Sequence, residues 1–540
     1  MTVTATPVFT APGQGAWMSL RDHFPRAVTP EYARLLTTAM RDGEAVPMAA
    51  YGLPVKSLMV GLVHGHVYIT PEPLIGKPSS ALPPAPLLWL AARLVPAFRR
   101  RTKAAQRTLI ERPWRADAKR WYATERQGWI DSNRALQAVT PEDLDDAALV
   151  EHLSEVRAHA TAGYRRHFEL HGPDLMPTGL LLACCDDWGI GPDLVLPVLA
   201  GSSPASMGQG PELDALRAAV AANGPTADTV EALAAVAGPE LDAFLADHGH
   251  RLVTGYDLDS LTLGELPTLV VSLSRPAVVR AAAEQDDSYA TLRQRVPDAH
   301  HEELDTLVAD ARATFGIRDD NGALTGAWPV GLLRRAMLAA GRRLAEGNTL
   351  RDPSHALEAT VDELQTLLTG STVPTADEVA SRAKDRAERS ELVPPLSLGP
   401  DLDIPVSVLP APMRAVSRAQ LILRDSFTAA YTTRAKLEGD GIGGTVHQGR
   451  AVVAADPGDA LSRLEPGDVL VAYGTTPAYN LALSIAGAVV VEEGGLLSHA
   501  AVIARELNLP AVIGAAGCMD SIPDGAMVEV DATTGRVRVL

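Results

Sequence analysis

The chain has 540 residues, 46% of them hydrophobic and 21% charged, with a formal net charge of -18; that length exceeds one ordinary core, so two or three domains are expected, and the Ala-rich, aromatic-poor composition predicts many helices. The acidity argues against a binder of nucleic-acid backbones, which need a basic surface. Three cysteines, Cys184, Cys185 and Cys518, are too few for a disulfide framework and lack zinc spacing, so the expected compartment is the cytoplasm and no metal site is expected.

The opening stretch, MTVTATPVFTAPGQG, has no basic region leading into an apolar run, so no secretory signal is expected. From Tyr51, YGLPVKSLMVGLVHGHVYITPEPL carries β-branched runs and turn punctuation, which predicts strands beside the helices. From Pro86, PLLWLAARLVPAFRRRTK is interrupted by Arg93 and too short to span a bilayer. It reads as an amphipathic helix with a solvated basic end in preference to a membrane-surface anchor, and no membrane partner is expected.

From about Thr140 to Leu368 apolar residues recur three and four apart, and Thr140 followed by Pro141 and Glu142 reads as an N-cap and first turn. Between Arg389 and Pro412 stand Pro394, Pro395, Pro400, Pro405, Pro410 and Pro412, a composition that predicts an interdomain connector. At about 3.1 Å per residue such a segment reaches on the order of 60 Å. After Gly441 the runs become short and alternating, with a hairpin at Thr534 and Gly535 and one helix from Ala500 to Asn508, stopped by Pro510. The expected fold is therefore multidomain: a large, mainly α-helical substrate domain over 1–388, a Pro-rich linker and connecting helix over 389–440, and a C-terminal β/α domain over 441–540.

The stretch that carries chemistry is GGLLSHAAVIARELNLPAVIG, from Gly494 to Gly514. Gly494 and Gly495 permit backbone conformations closed to other residues, and Ser498 can cap the helix that follows. His499 then sits where unpaired N–H groups and the positive end of the helix dipole favour an added phosphate, and neutral imidazole is a competent nucleophile near pH 7.

The whole string resembles the phosphohistidine motif of the phosphoenolpyruvate-utilising family, which includes pyruvate phosphate dikinase, phosphoenolpyruvate synthase and rifampicin phosphotransferase. The Gly pair, Ser498-His499-Ala500-Ala501, Ala504-Arg505-Glu506 and Leu509-Pro510-Ala511-Val512 carry the likeness. The strands before it, and upstream HFPRAVTPEY from His23, FLADHGHR from Phe244 and the stretch from Ile317 to Leu350, follow the family's order. The resemblance implies that the C-terminal unit is a phosphohistidine swivelling domain and that His499 is the phosphoryl carrier. It implies support for the phosphate from Gly494, Gly495, Ser498 and Arg505.

In the family, ATP charges the histidine through an ATP-grasp domain, which finds no counterpart in this sequence, nor does a GxxxxGK[ST] loop or the dikinases' pyruvate barrel. The architecture resembles the large subunit of two-component aryl-phosphate synthases, such as those that phosphorylate phenol or 4-cresol. This implies a separate ATP-grasp partner that binds ATP and Mg2+, releases AMP and phosphate, and leaves one phosphoryl group on His499 for a small hydroxylated, phenolic acceptor. Arg318 stands where relatives have Arg-Glu and can clamp the phosphoryl group; Asp319 takes the Glu position with a shorter arm, and Asp320 follows it. His250 and Arg251 offer a base and a second cation; His23 is a weaker candidate for binding the acceptor. Trp188, Trp328 and Met176 can line an apolar pocket, while Cys184 and Cys185 read as buried small residues. The alternatives are an antibiotic-inactivating, rifampicin-type phosphotransferase and a non-catalytic phosphocarrier with a docking scaffold.

Overall fold

The computed structural model describes residues 7–202, 210–224, 227–275, 285–400, 402, 405–428, 436–496 and 498–540. The C-terminal domain is a curled seven-stranded sheet whose spatial order departs from its chain order. It is built from β5 (Asp440–Ile442), β6 (Val446–Val453), β7 (Val469–Ala472), β8 (Ala488–Val491), β9 (Ala511–Ile513), β10 (Met527–Asp531) and β11 (Arg536–Val539), numbered after four strands of the first domain, and runs β11-β10-β6-β7-β8-β9-β5. The four central strands, β6 to β9, are parallel, and the edges are antiparallel. Val469–Ala472 and Ala488–Val491 are buried at every position, as parallel strands covered on both faces must be. One face packs on the helices Pro457–Arg463, Asn480–Ile485 and His499–Glu506, the other on Cys518, Ile522 and the β10–β11 hairpin. Gly535, at φ +69°, makes that hairpin's turn.

The larger body is mainly helical, with one small sheet, β2-β3-β1-β4, from Val55–Val63, His66–Pro73, Trp17–Ser19 and Ser397–Leu398. One core joins the helices Pro30–Ala50, Asp146–Glu169 and Trp328–Glu346 around Tyr32, Leu36, Leu149, Leu153, Leu333 and Met337. A second gathers Met176, Leu181 and Cys185 of His171–Asp187 with Met413, Val416 and Ala419 of Ala411–Thr428.

Two expectations change here. Thr140 starts only a short turn, Pro141–Asp143; the long helix begins at Asp146, where Asp145 is the N-cap and accepts a 2.8 Å bond from the Ala148 amide. Thr140 makes no side-chain capping bond, and the cap that starts the long helix is made five residues on by Asp145. The Pro-rich stretch is also not an extended spacer over its described part. Leu398 pairs with Trp17, and the helix from Ala411 is packed into the second core, because its apolar residues at Met413, Val416 and Ala419 share one face. The connecting segment 429–435 lies outside the described residues, as does Leu497 of the motif.

Candidate active site

The motif's geometry follows from its glycines and cap. Gly494 has φ +124°, and a Cβ there would stand 2.8 Å from both Cβ and Oγ of Ser498, so only glycine fits the approach. The Ser498 amide bonds the Gly495 carbonyl at 2.9 Å, and its hydroxyl accepts from the Ala501 amide at 3.5 Å. His499 is the first residue of the helix and is 9% exposed.

Both ring nitrogens are held. Nδ1 lies 2.9 Å from Thr475 Oγ1 and Nε2 2.7 Å from Asn480 Oδ1. Neither partner was singled out from the sequence. They come from the loop after β7 and the start of helix Asn480–Ile485, and only the stacking of β7 beside β8 brings them to the motif. Arg505 sits behind the site. Its guanidinium donates to the Leu496 carbonyl at 2.6 Å, tying the loop before His499 to the helix that follows, and burial lowers its pKa to about 10.

The domain is docked, with His499 facing the helical body. Arg21 forms an ion pair with Glu493, and the Gly201 amide donates to Glu506 Oε2 at 2.6 Å. Burial pushes Glu506 up to about 7, opposed by that amide bond. Between the two bodies lies a cavity of about 1050 Å³. His499, Ser498, Gly494, Thr475 and Asn480 form its floor, and Asp22, His23, Arg318 and Asp319 are among the groups facing them. Burial holds the His499 pKa well below its usual value, and the positive charge of Arg318 adds to the effect. The ring is therefore neutral at pH 7, the form that can attack phosphorus.

Leu36, Met40, Leu53, Leu58, Phe168 and Met176 give the cavity an apolar wall. Three histidines beside it differ in their partners. His23 lies 3.0 Å from Asp22 Oδ2, off the angle of a good hydrogen bond, and stacks on Tyr256. His167 bonds Asn321 Oδ1 at 2.7 Å, and burial pulls it down to about 3. His171 bonds buried Glu44 at 2.7 Å, whose charge and hydrogen bond outweigh burial and raise the imidazole pKa. Below them Asp174 is 3% exposed, neither of its oxygens has a hydrogen-bond partner, and burial pushes it up to about 6.

Other expected residues fall elsewhere. Arg251 lines the same cavity, with its guanidinium 5.0 Å from the Trp328 ring. His250 is not among the lining residues; Arg335, Glu265 and Glu142 are its charged neighbours. Adjacent residues leave an irregular segment in different directions, so the pair is divided. Trp328 is fully buried, donating to Gln137 at 2.9 Å, and Trp188 stacks on His300; neither lines the cavity. Asp320 binds Arg126 and the Trp121 indole. Cys185 is buried and Cys184 half-buried, with burial raising their pKa values to about 12 and about 11.

Protonating His499 places a charge in a buried site beside the Arg318 guanidinium, whereas an exposed imidazole titrates near 6.5. A depressed folded pKa means stability that is present above about 6.5 and lost as pH falls below it. Thermal unfolding at pH 7.5 and 5.5 should show a larger acid loss for the native chain than for His499→Asn, which cannot titrate. Asp174 and Glu506, raised by burial, act with the opposite sign in both proteins and cancel in the difference.

Residues 464–535 match the family model described as PEP-utilising enzyme, mobile domain, a stretch that holds His499, Thr475 and Asn480. The chain is 27% identical over 570 residues to chondramide synthase of Chondromyces crocatus, covering 97% of this chain and 14% of that protein. It is 32% identical over 215 residues to rifampicin phosphotransferase of Streptomyces sviceus, covering 38% and 21%. With phosphoenolpyruvate synthase of Aeropyrum pernix it shares 41% over 92 residues, 17% and 11%. The chain thus spans less than a quarter of each of these proteins. The rifampicin phosphotransferase and phosphoenolpyruvate synthase matches, with the domain match, support phosphotransfer of the phosphohistidine kind.

Proposed function

We propose, taking the PEP-utilising mobile domain as premise, that this chain carries a phosphoryl group on His499 and transfers it to the hydroxyl of an organic acceptor bound between the two bodies. The observation that carries the reading is the neutral, buried imidazole held at both nitrogens and facing Arg318 and His23 of the other body. In the transfer the P–N bond breaks and a P–O bond forms. Arg318 meets the negative oxygens, and the acceptor's proton passes to His23, which Asp22 supports.

Loading uses ATP and water, gives AMP and phosphate, and takes place on a separate ATP-grasp partner. The nucleotide and its Mg2+ are held by that partner; among the described residues of this chain no three His, Cys, Asp or Glu side chains converge to hold a metal ion. The acceptor is a phenol such as 4-cresol, which the apolar wall suits. The cavity volume favours a second reading, an acceptor of drug size as in rifampicin-type inactivation, since pockets of roughly 300–1,000 Å³ hold such ligands. A scaffold role without catalysis leaves the cavity and the Arg318–His499 approach without a use.

The acceptor half-reaction runs backward in this chain alone. Incubation with 32P-labelled phenyl phosphate should give acid-labile label on His499, located by mass spectrometry. No label from any aryl phosphate in a panel would refute the phenolic acceptor, and label from bulky aryl phosphates only would select the larger class.

A further inference from the structure

The surface farthest from expectation is the pair of helices Ala85–Leu94 and Pro96–Glu111. Of the first helix only Ala92 is buried. Leu87 is 58% exposed, Trp89 48%, Leu90 45% and Leu94 63%. Leu87, Leu90 and Leu94 share one helical face, and Trp89 stands beside it with Arg93 stacked 3.9 Å over its ring. At Val95 the backbone is extended, and the chain turns into the second helix. There Arg99, Lys103 and Arg107 form an exposed stripe at four-residue spacing, with exposed Arg100 next to it.

The charge is as uneven as the polarity. Between Glu72 and Glu111 there is no acidic residue and there are seven lysines and arginines, in a chain of net charge -18. The long arginines elsewhere are mostly tied into ion pairs such as Arg134–Asp247 and Arg386–Glu358. Arg99, Arg100, Lys103 and Arg107 make no such pair with the described residues. Water gives no reason for an apolar, Trp-bearing helix to stand exposed beside a stripe of unpaired cations.

We propose that these two helices lie on an anionic lipid bilayer, Leu87, Trp89, Leu90 and Leu94 entering the headgroup boundary while Arg99, Arg100, Lys103 and Arg107 meet lipid phosphates. Charge complementarity selects this occupant, because an acidic surface is what the stripe lacks and an apolar layer beneath it is what the leucines lack. Among the described residues no helix is long and apolar enough to cross a membrane, so the element lies on the surface. Its buried side, Ala92 and Ala105, belongs to the same core as Tyr51, Leu53 and Met176 of the cavity wall. The face thus shares a core with part of the cavity wall. This inference stands whichever acceptor is used.

The full chain should be mixed with vesicles of phosphatidylcholine alone, or with about 30 mol% phosphatidylglycerol, and sedimented. Binding to the anionic vesicles should be at least about tenfold tighter and should fall with added salt. Leu87→Glu/Leu90→Glu and Arg99→Glu/Arg100→Glu should each lose about tenfold or more while keeping the native unfolding temperature, since all four side chains are exposed. The proposal is overturned if the native chain stays in the supernatant with anionic vesicles, or if both variants pellet as the native chain does. It is likewise overturned if the chain ignores vesicles but forms dimers that Leu87→Glu/Leu90→Glu dissolves, which would assign the face to a second copy.

Discussion

His499→Ala should abolish product formation in the system reconstituted with an ATP-grasp partner, a loss of at least about four orders of magnitude, because no other group can form the covalent intermediate. The side chain is 9% exposed, beside a helix start capped by Ser498, so alanine removes the nucleophile and leaves the cap in place. The measurement is acid-labile phosphoprotein followed by acceptor phosphate. Both should vanish together while the domain remains folded by circular dichroism. Acceptor phosphorylation surviving in that variant would mean direct transfer from nucleotide, and the carrier mechanism would be wrong.

Arg318→Ala should give the second largest effect and a different pattern. Arg318 belongs to the helical body and acts on His499 across the interface, as well as on His167, His171 and Asp174. Its loss should therefore slow transfer to the acceptor by about 10²–10³-fold, the scale of one cationic clamp on a moving phosphoryl group. Loading of His499 by the proposed partner should be unchanged, since the proposed mechanism uses Arg318 only in transfer to the acceptor. Single-turnover kinetics from preloaded protein separates the two. Arg318→Lys, which keeps the charge and loses the planar fork, should fall between. Equal damage to loading and transfer would show that Arg318 only supports the fold.

The C-terminal domain was legible because its signals are local: short β-branched runs, glycine punctuation, and one capped helix after a glycine pair. His499, Gly494 and Ser498 stand where the string places them. Thr475 and Asn480 were not legible, since their contact with His499 exists only once β7 lies beside β8. The prolines from Pro394 to Pro412 report local backbone preference and are silent on whether a segment packs, so Leu398 and Met413 entered the first domain's sheet and core unannounced. The tryptophans were read as pocket walls, yet Trp328 is structural, with its indole N–H bonded to Gln137. Glu44, which holds His171, lies on a helix far away in sequence, and nothing within its own segment marks it.

The grip of Thr475 and Asn480 on the imidazole sets how errors arise. Both belong to the same domain as His499, so under the proposed mechanism the ring's aim is built into that domain and moves with it. What varies is only how the unit seats. The seat contacts, Arg21 with Glu493 and Gly201 with Glu506, therefore govern registration, while the hydrogen bonds that aim the ring stay within the unit itself. Loosening a seat contact should misdirect the phosphoryl group toward water without making the nucleophile any weaker.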